Sequence, residues 1–109
     1  MAEDGKPRWT FLTNHAHVLV CISEDHTIRG RDIADRVGIT ERAVQAIIAD
    51  LEADGYLTRR RTGRRNAYEV YAERPLRHPI EADHTAADLL GALGLSRRSR
   101  AARGGRGDS

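Results

Sequence analysis

The chain has 109 residues, of which 39% are hydrophobic and 31% charged, a composition that suits one small globular domain. No apolar run approaches the roughly 20 residues of a bilayer-spanning helix, and the N-terminal stretch lacks the apolar core of a secretory signal. A single cysteine, Cys21, excludes an internal disulfide framework, so we expect a cytoplasmic protein with no membrane association.

The formal net charge of +2 conceals an uneven distribution of charge along the chain. Residues 96–109 carry five arginines and one acid, whereas the remaining residues carry 13 basic and 15 acidic side chains. Positive charge in the body of the chain is concentrated at Arg59, Arg60, Arg61, Arg64 and Arg65. Like charges so close together repel each other, and a one-sided distribution of positive charge indicates a polyanionic partner.

The predicted domain covers residues 9–95, between a flexible lead over residues 1–8 and a disordered basic tail over residues 96–109. Its first element is a helix from about Asn14 to Glu24, for which Thr13 or Asn14 can serve as N-cap. The sequence His-Thr-Ile that follows is short and isolated, and it could form a single strand that pairs with a later segment.

Two helical patterns separated by Gly38 come next, at residues 30–37 and 40–54. Thr40 is a suitable N-cap for the second of them, and Glu41 in the first turn suits the helix dipole. Its apolar residues recur at the i, i+3, i+4, i+7 spacing of one buried stripe. These stripe residues are Val44, Ile47, Ile48 and Leu51.

A hairpin and a last helix complete the predicted order. Gly63 supplies a turn between two extended segments, the second of which alternates apolar and polar residues with the period of a half-buried strand. An irregular stretch follows, broken by Pro75 and Pro79, and Thr85 with Asp88 then forms a capping-box variant before the last helix. The fold class is therefore α+β, with a three-helix core, a β-hairpin wing and a C-terminal helix.

The outer face of the second helix in this pair has the chemistry that major-groove reading requires. Arg42 can pair bidentately with guanine and Gln45 with adenine, while Ala46 allows close approach or touches a thymine methyl group. The hairpin arginines would then lie along phosphates or reach into the minor groove. Sequence-specific binding of double-stranded DNA in transcriptional control is the function that these residues favour.

Residues 31–70, RDIADRVGITERAVQAIIADLEADGYLTRRRTGRRNAYEV, resemble the winged helix-turn-helix transcriptional regulators, the broad group that includes the MarR-like and ArsR-like families. The resemblance implies a recognition helix that begins at Thr40 and, usually, a homodimer on a near-palindromic site. Carried over by position, the groove-facing residues are Thr40, Arg42, Gln45 and Ala46, and the wing contacts are Arg61, Arg64 and Arg65.

Apolar residues that the three-helix core does not need lie at both ends of the domain. On a monomer they would form an exposed apolar patch, so we expect them to meet across a two-fold axis in a homodimer. The alternative is that the final helix folds back on its own core and buries Trp9 within one chain. The predicted interface residues are Trp9, Phe11, Leu12, Leu89, Leu90 and Leu93.

Other functions find less support in the residues. Cys21 lies in the apolar stripe of the first helix, where a free cysteine is more often a small hydrophobic side chain than a redox sensor. His15 and His17 are two residues apart and do not share a helix face, so we expect no metal site and no cofactor. No catalytic motif occurs, which argues against an enzyme. The main rival is a winged helix that binds a protein partner, and the residues identify no small-molecule effector.

Deleting residues 96–109 should weaken binding to random duplex DNA, because the deletion removes a net charge of +4. It should leave the melting temperature nearly unchanged, because this stretch offers no core residues. Anisotropy titrations of both proteins with the same duplex, together with thermal melts, measure both effects. A large fall in melting temperature would contradict the prediction that the tail is disordered.

Overall fold

The computed structural model describes residues 8–95, and its elements follow the predicted α+β order. The predictions for the lead and the tail lie outside the described residues, apart from the exposed Arg8. Within residues 8–95, no helix has the length and apolar character needed to cross a bilayer. The elements are α1 (Asn14–Glu24), α2 (Gly30–Val37), α3 (Glu41–Ala53), β1 (Leu57–Thr62), β2 (Arg65–Val70), a short 3-10 turn (Pro79–Glu81) and α4 (Ala86–Ala92).

Threonine side chains fix the start of three of the four α-helices. The Thr40 hydroxyl accepts the Ala43 N–H at 3.0 Å, and Thr13 caps α1 in the same way. Thr85 caps α4 in a full capping box, in which the Asp88 carboxylate accepts the Thr85 N–H at 3.1 Å. This hydrogen bond from the Thr85 backbone lowers the pKa of Asp88, and a hydrogen bond between the His84 side chain and the same carboxylate lowers it further. The predicted caps are confirmed.

Helices α1, α2 and α3 surround one apolar core, onto which the hairpin closes. The stripe of α3 is buried as predicted, and Gly38 joins α2 to α3 in the left-handed conformation, with φ of 88°. Glycine adopts this conformation without the steric cost that a Cβ brings. The largest fully buried side chains are Val18, Ile22, Ile33, Val44, Ile48 and Leu57.

The hairpin is a two-stranded antiparallel sheet whose inward face belongs to the core. Leu57 is paired with Val70 at its base, and Thr62 with Arg65 beside the turn, where Gly63 has a φ of 64°. Tyr68, Val70 and Ala72 are buried, in agreement with the predicted alternation. Two strands alone are marginally stable, so this packing holds the hairpin in place.

The possible strand at His26–Thr27–Ile28 does not form. The Asp25 carboxylate accepts the Thr27 N–H at 3.1 Å, and this local bond turns the chain where a strand would extend it. One backbone bond remains from the expected pairing, since the Tyr68 N–H donates to the His26 carbonyl at 2.9 Å. Ile28 is buried in the core.

The final helix divides the residues that were predicted to form a dimer interface. Leu90 is 4% exposed and lies in the core of its own chain, so its side chain offers no surface to a partner. Backbone bonds hold α4 there, among them the Ala87 N–H on the Ala72 carbonyl at 2.7 Å. Leu93 is 48% exposed, and Leu12 and Leu89 are half-buried.

The N-terminal segment does not bury its aromatic residues within the chain. Trp9 is 63% and Phe11 90% exposed, and their rings pack edge to face with centroids 5.0 Å apart. The alternative that buries Trp9 against its own core is therefore not what the structure adopts. Thr10 and Leu12 line the same surface hollow as Leu93, so the two ends of the domain lie side by side.

Candidate nucleic-acid interface

The outer face of α3 presents the predicted base-reading residues together. Arg42, Gln45, Ala46 and Ala49 are exposed, and their spacing places them along one side of the helix. Within residues 8–95 the Arg42 guanidinium has no hydrogen-bond or ion-pair partner. Thr40, at the start of the same face, uses its hydroxyl oxygen for the cap and keeps its proton as a donor.

The five hairpin arginines have different surroundings. Arg59 lies on the inward face opposite Tyr68, and its guanidinium donates to Gln45 Oε1 at 3.1 Å and to Glu52 Oε1 at 3.4 Å. This arginine therefore braces β1 against α3. Its neighbour Arg60 points to the other face and has no guanidinium partner within the described part of the chain.

Arg61, Arg64 and Arg65, the predicted wing contacts, lie at the exposed end of the hairpin. The Arg61 side chain donates to the Gly63 carbonyl at 3.2 Å, and Arg65 donates to the Thr27 carbonyl at 2.7 Å. Arg64, in the turn, makes no side-chain hydrogen bond or ion pair within residues 8–95. Neutral carbonyl partners leave the charge of a guanidinium uncompensated, so all three remain cationic surface groups.

A second basic segment, at the start of α2, lies beside the wing. Arg29, Gly30 and Arg31 line one hollow together with Arg64 and Arg65. Helix α2 has no side-chain N-cap, so no capping side chain occupies the N–H groups at the positive end of its helix dipole. The hollow is therefore a favourable environment for an anion such as a phosphate. Sequence reasoning missed Arg29 and Arg31, because the contact between this segment and the hairpin joins residues far apart in the chain.

Other polar side chains form separate contacts. His15 and Asp50 approach to 2.9 Å across α1 and α3, and both side chains are exposed. No group of three His, Cys, Asp or Glu side chains within residues 8–95 has an arrangement that could hold a metal ion. Burial raises the pKa of the Cys21 thiol, which disfavours the reactive thiolate.

The comparison with known families agrees with this geometry. Residues 13–58, which run from the α1 cap to the start of β1, match a family model described as winged helix-turn-helix DNA-binding. This region is a winged helix-turn-helix domain. Helices α2 and α3 are the helix pair of this fold, and β1 and β2, which lie almost wholly beyond the matched residues, form the wing. No curated protein matches the chain.

The winged helix-turn-helix fold suggests a ligand for the basic surface. The matching family model is described as DNA-binding, which supports double-stranded DNA as a partner. Apart from Arg59, which is paired with Glu52, the arginines of the exposed face of α3, the wing and the start of α2 have no acidic partner within residues 8–95, whereas Arg36 and Arg77 are paired with Glu24 and Asp54.

Replacing Arg64 and Arg65 with alanine should weaken binding to every duplex sequence. Each lost phosphate contact should reduce the slope of log affinity against log salt by about 0.9. Replacing Arg29 and Arg31 should have the same effect, because these residues share the hollow. Titrations with random duplex DNA at several salt concentrations measure the slope.

Arg77→Ala is the matched control, since it removes one exposed arginine that is paired with Asp54 away from the wing. It should leave the salt slope unchanged. An unchanged slope in the Arg64 and Arg65 variant would mean that the wing does not touch DNA. An unchanged slope in the Arg29 and Arg31 variant would remove the start of α2 from the interface.

Proposed function

We propose that the protein is a non-enzymatic transcriptional regulator that binds double-stranded DNA at a specific sequence. Helix α3 enters the major groove, and the arginines of the wing lie on the backbone or in the minor groove. The observation that carries this proposal is the uncompensated Arg42 on the same exposed face as Gln45 and Ala46. A lone arginine with no internal partner can form a bidentate pair with guanine.

The dimensions and chemistry of α3 support this mode of binding. The major groove is about 12 Å wide and admits one helix, provided that the helix surface can approach the base edges. Ala46 and Ala49 have short side chains, so the exposed face can approach the base edges closely there, while Arg42 and Gln45 on the same face have long side chains. Long side chains for hydrogen bonding thus stand next to short ones that permit approach.

The wing and the start of α2 supply contacts of a different kind. Arg64, Arg65, Arg29 and Arg31 line one hollow, where backbone phosphates would be bound without regard to sequence. Phosphate contacts fix the register of a protein on the duplex, and base contacts then select the sequence. Affinity therefore comes largely from these arginines, and discrimination from α3.

Arg42→Ala should cost about 1–3 kcal/mol of binding free energy on a preferred site and little on random DNA. The preferred site is first obtained by selection from a random duplex library, and anisotropy titrations then compare both DNAs. Arg77→Ala should leave both affinities unchanged. Equal losses on the two DNAs would make Arg42 a phosphate contact. A wild-type protein that binds no duplex at low salt would favour the rival, a winged helix that binds proteins.

We also propose that the protein acts as a homodimer. A single winged helix buries on the order of 600–1,000 Å² on DNA, which limits affinity, and two-fold pairing on a near-palindromic site doubles that area. Trp9, Phe11 and Leu93 remain exposed, and Leu12, which is half-buried like Leu89, lines the same hollow as Leu93. Apolar side chains grouped in this way are typical of a protein interface.

Phe11→Glu combined with Leu93→Glu should convert a dimer into a folded monomer that binds the selected site more weakly. Both side chains are exposed, so the melting temperature should change little, in contrast to any substitution of the buried Leu90. Ile80→Glu is the control, because Ile80 is 83% exposed and lies outside the predicted interface. Sedimentation of the unmutated protein as a monomer at tens of micromolar would refute the homodimer.

A further inference from the structure

Gln45 is held on both sides by residues outside the recognition helix. Its Oε1 accepts a hydrogen bond from Arg59 Nη1 at 3.1 Å. On another side lies Gly30, at the start of α2, where a Cβ would come within 2.8 Å of Gln45 Nε2. The amide of this exposed side chain is thus placed by the wing and by α2 together.

Arg59 determines which way the Gln45 amide faces. A guanidinium has only donors, so it can face Oε1 but not the NH₂ group of a glutamine. The amide nitrogen must then lie on the side away from Arg59, as it does beside Gly30. Without Arg59, the amide could rotate by half a turn and exchange its donor and acceptor.

The surroundings of Arg59 make it a brace and not a phosphate contact. Glu52 Oε1 accepts from its other terminal nitrogen at 3.4 Å, and the Arg59 side chain is only 31% exposed. Its charge is therefore offset by a carboxylate. Arg60, the next residue along β1, has the opposite properties, because it faces the other way and its guanidinium is free within residues 8–95.

We infer that Arg59 and Gly30 are specificity-determining positioning residues, which hold the Gln45 amide in the one orientation that suits adenine. Adenine presents an acceptor at N7 and a donor at N6, and a glutamine reads both by donating from Nε2 and accepting at Oε1. The second lone pair of Oε1 stays available while Arg59 occupies the first. This inference rests on the proposed reading of a base by Gln45.

Gly30 contributes by leaving space. Alanine is the better helix residue, and Gly30 lies in the first turn of α2 without a positive φ that would require glycine. Its role is explained by Gln45 Nε2, which occupies the volume that a Cβ would need. Gly30→Ala should therefore displace the Gln45 amide with no change of charge and no loss of helix propensity.

The test is a double-mutant cycle between Arg59→Met and Gln45→Ala on the selected duplex and on three duplexes that differ at the base pair read by Gln45. Methionine keeps a long aliphatic chain and removes every donor. Arg59→Met should reduce discrimination at that base pair about fivefold or more, the lower end of what a bidentate pair contributes. The double variant should discriminate no less than Gln45→Ala alone, because Arg59 acts through Gln45.

Salt dependence separates positioning from phosphate contact. Arg59→Met should leave the salt slope on random DNA unchanged, whereas Arg60→Met, the matched control, should leave discrimination unchanged whatever it does to the slope. Gly30→Ala should reproduce the loss of discrimination. If Arg59→Met unfolds the domain, as judged by circular dichroism, Gly30→Ala decides the matter alone, and unaltered discrimination in that variant would overturn the inference.

Three further results would overturn the inference and separate its failure from that of the proposed function. A fall of about 0.9 in the salt slope of Arg59→Met with discrimination intact would make Arg59 a phosphate contact. If the losses of discrimination caused by Arg59→Met and by Gln45→Ala are additive in the double variant, the two residues act independently. If Gln45→Ala keeps full discrimination while Arg42→Ala loses it, the inference fails and the DNA-reading function stands. A wild-type protein without any sequence preference would refute both.

Discussion

The burial of one stripe of α3 is the constraint on which the rest of the structure depends. Val44 and Ile48 are fully buried against α1 and α2, and this fixes the rotation of α3 about its own axis. Once those positions face inward, the 3.6-residue period leaves Arg42, Gln45 and Ala46 facing outward. A chain that packed any other stripe would turn the same side chains away from the surface that we propose binds DNA. The core therefore determines the direction in which the recognition surface points.

Repulsion within the hairpin is reduced by the contacts that its arginines make. Arg59 is compensated by Glu52, and Arg65 is drawn aside to the Thr27 carbonyl. Arg61, Arg64 and Arg65 keep their charge at the exposed end, because their partners are neutral carbonyls or absent within residues 8–95, and DNA would supply the missing anions there. The same contacts connect the wing to α3 on one side and to the segment before α2 on the other. Like charges on neighbouring strands are tolerated because they are divided among these partners.

The features that were predicted correctly depend on residues that are close together in the sequence. The bounds of α1, the threonine caps and the alternation at Tyr68 and Val70 depend on residues close together in the chain, and the structure agrees with them. The predictions failed where distant segments meet. Ile28 is buried without a strand, because Asp25 forms a local turn, and Leu90 packs into its own core because backbone bonds fix α4 against Ala72. The pairing of Arg59 with Gln45 joins residues 14 positions apart and has no signature in sequence.

Connections between the DNA-facing parts also bear on how they would bind. The wing is joined to α3 through Arg59, and to the turn before α2 through the Tyr68 N–H and the Arg65 side chain. A protein surface that is already ordered loses less conformational entropy when it binds a ligand than separate loops that become ordered on contact. A hairpin held only by its turn would have to lose that freedom each time DNA bound. Arg59 is half-buried and the Tyr68 N–H bond joins two neutral backbone groups, so salt screens these two contacts less than it screens the exposed phosphate contacts, Arg65 among them. The geometry of recognition should therefore persist at salt concentrations that weaken affinity.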